Sequence, residues 1–166
     1  MMGSPHYLGN RNGTIVPMKI INRNFRREFE AVSLYEAGIV LTGSEVKSIR
    51  TGNFKLEQSF AKIIDGEAWL FNAEIPVYSF TANKNYQPTR KKKLLLNKKE
   101  IVQIETRLKT GGRLTLVPES CYNKGRQIKI SLALCKGLGE IAKKKIEMKE
   151  DIKRAQEREM KEYVKR

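Results

Sequence analysis

The middle of the chain alternates between strand-like and helix-like patterning, with clear punctuation between the segments. Phe29–Leu34 and Gly38–Leu41 read as strands. Thr42 with Glu45 has the capping-box arrangement, a hydroxyl at the N-cap and a carboxylate three residues on, each satisfying a free backbone N–H. A short helix through Ile49 should follow and end at Gly52. Ser59–Ile64 and Glu67–Phe71 flank Asp65-Gly66, a hairpin signal because both turn positions want positive φ. Asn97 with Glu100 repeats the capping pattern and opens a helix to about Lys109, stopped by Gly111-Gly112. Leu114–Cys121 and Gln127–Leu134 form a second hairpin across Asn123-Lys124-Gly125. The expected class is mainly β (α+β): a small antiparallel β-barrel, or curled sheet, with short flanking helices. Closure would remove exposed strand edges.

The two ends differ from this middle. Residues 1–21 are poorly patterned and read as a flexible N-terminal extension, favoured over an organellar targeting peptide. Residues 22–137 form the globular domain, and Gly137-Leu138-Gly139 breaks the chain before a charged tail over 138–166. In that tail Glu150–Arg154, Glu157–Lys161 and Glu162–Arg166 are i,i+4 pairs in the better orientation, each adding about 0.2–0.5 kcal/mol. Ile141, Met148, Ile152 and Ala155 make a narrow apolar stripe that buries little by itself. The tail is expected to be frayed when free and helical against a partner. A solvated helix without a partner is the competing reading.

Charge narrows the partner class. Lys and Arg number 33 against 18 Asp and Glu, a formal net charge of +15 over 166 residues. Such an excess points to a polyanion, nucleic acid or an anionic membrane surface. No apolar run approaches the roughly 20 residues of a spanning helix, which disfavours the membrane. Cys121 and Cys135 fit no zinc spacing and no disulfide framework, so they read as small buried hydrophobes in a reducing, cytoplasmic compartment.

Catalytic chemistry finds no constellation. His6, the single histidine, sits in the unpatterned extension, which argues against a His-based base, triad or metal site. Gly137-Leu138-Gly139 lacks the Lys-Ser/Thr of a phosphate loop. Neither a metal nor a cofactor is expected. The positive signal is Arg90-Lys91-Lys92-Lys93 running into Leu94-Leu95-Leu96 and the capped helix at Asn97-Lys98-Lys99. Four cations beside a helix N-terminus offer charge and backbone donors to phosphates. Asn22, Arg23, Arg26 and Arg27 form a second cluster. Tyr35, Tyr78 and Tyr86 are candidates for stacking on bases, although aromatic residues at strand ends are more often core.

Tyr35-Glu36-Ala37-Gly38-Ile39-Val40-Leu41-Thr42-Gly43-Ser44-Glu45-Val46-Lys47-Ser48-Ile49-Arg50 resembles the long signature of the bacterial SsrA-binding protein family. Arg90 with Lys93–Ile101, Leu114–Pro118 and Ile130–Gly137 resemble its later motifs, in order, over about residues 22 to 137. The resemblance implies an oligonucleotide-binding-like barrel with flanking helices. It implies a non-enzymatic monomer that binds the tRNA-like domain of transfer-messenger RNA and delivers it to stalled ribosomes for peptide tagging. Generic RNA binding by a basic barrel is the alternative. Carried over by motif, Asn22, Arg26, Glu36, Leu95 and Asn97 contact the RNA. The basic clusters add Arg23, Arg90, Lys91, Lys92, Lys93 and Lys98.

The tail departs from the family. After Lys-Gly the family continues Lys-Lys, an apolar residue, His or Tyr, then Asp-Lys-Arg. Here Ile141 stands for the aromatic or His, and Ala142-Lys143-Lys144 for Asp-Lys-Arg. The implied role of the tail is to occupy the vacant mRNA channel and decoding centre of the small subunit. Lys143, Lys144, Lys145, Lys149, Lys153 and Arg154 are the residues expected to touch the ribosome.

Overall fold

The computed structural model describes residues 18–81 and 84–165. Its strands are β1 (Lys19–Ile21), β2 (Phe29–Ile39), β3 (Phe60–Ile64), β4 (Glu67–Phe71), β5 (Lys92–Leu95), β6 (Leu114–Lys124) and β7 (Gln127–Gly137). Its helices are α1 (Phe25–Glu28), α2 (Gly43–Arg50), α3 (Lys98–Thr110) and α4 (Glu140–Val164). All strand pairs are antiparallel. Hydrogen-bonded neighbours run β6-β3-β4-β5-β2-β7 and return to β6, a ring to which β1 is added on the edge of β6. The β3–β6 seam is narrow, held at Ala61↔Leu116.

The ring encloses the main core. Leu70, Ile75, Leu94, Leu116, Ile130, Leu132 and Leu134 meet there, and α2 and α3 add Ile49 and Ile104. β7 is apolar on both faces for a reason. Its alternate residues Ala133 and Cys135 point the other way, into a second cluster with Val117 and Phe25. Phe25 of α1 stacks on Phe29 at 5.9 Å to seal that outer pocket.

Several local expectations are met. Thr42 and Glu45 form the capping box of α2. Asp65 and Gly66 take φ of 51° and 74°, the left-handed pair that a two-residue hairpin turn needs. Three expectations are corrected. The strands foreseen at 29–34 and 38–41 are one strand, β2, with a register shift between Ala31 and Ser33. Gly38 lets it run on, since a Cβ there would lie 3.3 Å from Leu95 Cβ on β5. The second hairpin turns at Gly125-Arg126, so Asn123 and Lys124 remain in β6.

The third correction concerns the N-terminal boundary. Met18 is buried and Lys19–Ile21 pair with Tyr122–Ser120, so the sheet begins before residue 22. The remainder of the expected extension, residues 1–17 with His6, lies outside the described residues.

Candidate nucleic-acid interface

Strand register decides which side chains share the outer face. On β2 Ala37 is buried in the ring, so Glu36 and Gly38 face outward. Gly38 pairs with Leu95 on one side and Lys129 on the other. Lys129 pairs with Tyr122, and Tyr122 with Lys19. The next row holds Glu36, Ser131, Ser120 and Ile21. Five strands thus assemble one outward surface from residues scattered between 19 and 131. Leu95 is 54% exposed on it, although leucine normally leaves water.

Glu36 is the electrostatic centre of this surface. Its carboxylate accepts from the Tyr122 hydroxyl at 2.5 Å and from Lys124 Nζ at 3.1 Å. The hydrogen bond from Tyr122, then that from Lys124, hold the carboxyl below its ordinary pKa, with Lys129 adding attraction. Burial, with the Glu36 bond, pushes the Tyr122 hydroxyl up to about 12. The group is therefore a fixed anion inside a ring of donors. It can accept from a base amino group or a ribose hydroxyl while its neighbours meet phosphate.

The expected cation run divides. Lys91 is exposed with its ammonium 4.9 Å from the Trp69 ring, and Lys93 pairs with Glu67 at 2.5 Å. Arg90 is half-buried and grips the buried Glu45 with two bonds of 2.9 and 2.6 Å. Lys92 differs from its neighbours: it is fully buried, and Nζ donates to the carbonyls of Ala73, Arg90 and Pro88. Burial lowers its pKa to about 8. Inward alternation of β5 removes this charge from the surface that the sequence run suggested.

Asn22 is buried as well. Its amide is 2% exposed and donates to the Leu56 and Pro118 carbonyls at 3.2 and 2.9 Å. Pro118 flanks the register shift of β6, and the Asn22 backbone N–H bonds Glu119, so Asn22 pins that bulge. Arg23 and Arg26 remain exposed beside it. Asn97 and Lys98 are exposed at the start of α3, where the Glu100 carboxylate accepts from the Asn97 N–H at 3.0 Å. Of the tyrosines, Tyr35 packs on the core, Tyr86 bonds the Ile75 carbonyl, and Tyr78 lies edge-on to Phe80. Cys121 and Cys135 are buried thiols whose pKa values burial raises to about 12 and about 11.

The tail is a 25-residue helix, α4, with no buried residue. Ala142, Ile146 and Glu150 recur every four residues as its half-buried line. Glu150 accepts from Arg27 of α1 at 2.7 Å and pairs with Arg154 at 3.5 Å. Lys145, Lys149 and Lys153 make an open stripe at the same spacing, whereas Lys143 and Arg154 turn toward the Glu150 side. Lys144 is also exposed. The apolar stripe points to solvent, with Ile141 86% and Met148 66% exposed.

Tyr122, Lys124 and Lys129 were not singled out from sequence. Each lies in an ordinary strand, and the β2–β7 and β6–β7 registers together carry it to Glu36. Among the described residues no cluster has the make-up of a metal site, and no helix is long and apolar enough to cross a membrane.

A ring of antiparallel strands carrying an outward basic surface around a fixed carboxylate defines a class, the barrel-like nucleic-acid-binding proteins. The family model described as SmpB protein matches residues 19–162. An SsrA-binding protein of Sulfurihydrogenibium sp. is 44% identical over 87% of this chain and 94% of its own. One of Thermobifida fusca is 41% identical over 82% and 85%. A solved structure described as "tmRNA-SmpB: a journey to the center of the bacterial ribosome" aligns with a TM-score of 0.62 at 39% identity, covering 74% of this chain and 85% of that one. The chain belongs to the SmpB family.

Proposed function

We propose that this chain binds the tRNA-like domain of transfer-messenger RNA with the Glu36 surface and brings that RNA to stalled ribosomes. The observation that carries the reading is membership of the SmpB family along nearly the whole described chain, with a solved relative described as tmRNA–SmpB at the bacterial ribosome. The protein's part is binding and placement; charging and nucleotide hydrolysis fall to other molecules. Arg23, Arg26, Glu36, Lys91, Lys93, Leu95, Asn97 and Lys98 meet the RNA. Asn22, Lys92 and much of Arg90 act from beneath, by holding the bulge and β5. The domain is the ring over 22–137 extended back to β1, and the tail from 138 onward supplies the ribosome contact through its open lysine stripe and Lys144.

The test is binding of the purified protein to a tRNA-like fragment, titrated in salt beside tRNA and plain duplex. The expected result is preference for the fragment, with Glu36→Ala losing on the order of tenfold, as for one charge-assisted hydrogen bond. Equal binding to all three, governed by salt alone, sinks the specific reading and leaves a generic basic RNA binder.

A further inference from the structure

A second outward surface lies on β3, β4 and β5, and the RNA contacts proposed above do not account for its rings. Ala61, Ala68 and Leu70 face the core, so Phe60 and Lys62 on β3 and Trp69 and Phe71 on β4 face out. Register places Lys62, Trp69 and Lys93 in one row across the three strands. The adjoining row is Phe60 opposite Phe71, their rings 5.5 Å apart and 15° from parallel. Lys62 sits 5.3 Å from the Phe60 ring and Lys91 4.9 Å from the Trp69 ring. Three cations are interleaved with three rings, and the carboxylate in their midst, Glu67, is paired with Lys93. The main helix contacts lie elsewhere: α1 against α4 and β2, α3 against β6, and α2 with Ile49 in the main core.

From this juxtaposition we infer that the β3–β4–β5 face is a stacking platform for unpaired nucleotides, taking a single-stranded segment of the same RNA that the Glu36 surface holds. Flat rings accept any base face, and lysines between them follow the backbone. A protein partner would want an apolar patch with few like charges, which three lysines oppose. The cations now resting on ring faces mark where a base would lie, and they are free to swing to phosphate. The occupant is fixed by continuity. β5 presents Leu95 to the first surface and, two residues earlier, Lys93 to the second, so a strand leaving the first runs onto Trp69. The inference rests on the reading above for the identity of the RNA and on its own geometry for the platform.

Trp69 is the single tryptophan, so its fluorescence reports the platform alone. The experiment titrates the full chain with the tRNA-like fragment, with the fragment carrying an unpaired extension of about eight nucleotides, and with that extension alone. The platform predicts strong quenching by the extension, alone or attached. It also predicts roughly tenfold tighter binding of the extended fragment, within what one or two stacked bases supply. Trp69→Leu and Lys62→Glu should each abolish that gain and leave the bare fragment's affinity unchanged. The Lys62→Glu arm keeps the test sound if loss of the indole loosens the sheet. Equal affinity for bare and extended fragments, with no quenching, overturns the platform while leaving the first surface intact. Failure of the bare fragment to bind specifically, with quenching by the extension preserved, strikes the first reading instead: it supports the platform and removes only its shared occupant.

Discussion

Lys92 and Lys93 are neighbours with opposite environments, because successive strand side chains point to opposite faces. Lys93 reaches Glu67 at the surface, whereas Lys92 spends its three protons on backbone carbonyls inside. Lys92→Met leaves the Ala73 and Arg90 carbonyls without their donor, and should cost about 2 kcal/mol in urea unfolding at pH 7. Its titration adds a pH signature. With a folded pKa of about 8 against an ordinary 10.5, the unfolded chain holds a proton between those values that the folded chain has shed. Stability contributed by this group therefore rises with pH from about 8 to 10.5, by at most roughly 3 kcal/mol. The deficit of Lys92→Met should widen across that window, and a constant deficit would show that Lys92 does not titrate there.

Elements whose cues are local were readable from sequence: both capping boxes, the Asp65-Gly66 turn and the Gly111-Gly112 stop. Thr42→Ala should lower stability by about 1 kcal/mol by freeing the Glu45 N–H. Gly111→Ala should cost more, about 2 kcal/mol, since its Cβ would sit 2.3 Å from Leu114 Cδ1 and 2.6 Å from the Arg107 carbonyl. Chemical denaturation of both variants checks the order. What escaped the sequence depends on distant pairing. β1 is three residues long and has no rhythm of its own; its partner β6 makes it a strand. The cluster at Glu36 needs three strands in register, so Glu36 was legible through resemblance and Tyr122 was not. The burial of Lys92 was not legible because a run of like residues hides the alternation of the strand beneath it. For α4, with nothing buried, ending the chain after Gly139 should remove much of the helical circular dichroism. The sheet's unfolding free energy should stay within about 1 kcal/mol of its original value. A larger loss would mean that the Arg27–Glu150 contact anchors far more than one exposed ion pair does.

At the scale of the whole molecule, the proposed function divides the work: the net charge of +15 would set reach and rate of encounter, and the Glu36 surface would set choice. Binding of the tRNA-like fragment should weaken steeply with salt, with a log–log slope of about −4 or steeper if five or more phosphates are met. Lys98→Ala should reduce that slope by about 0.7–0.9 for one lost phosphate contact. Glu36→Ala should lower affinity with the slope almost unaltered. Matched titrations separate the two kinds of residue, and a slope that falls with Glu36→Ala would assign Glu36 to organising cations rather than reading RNA. Ring closure has one more consequence. β2 lies early in the chain and its long partner β7 late, so during synthesis most of β2 emerges and waits unpaired along that edge until β7 is made. A nascent chain cut short before β7 has no closed core at all. This fold therefore exists only once the ribosome has read past the codons of β7.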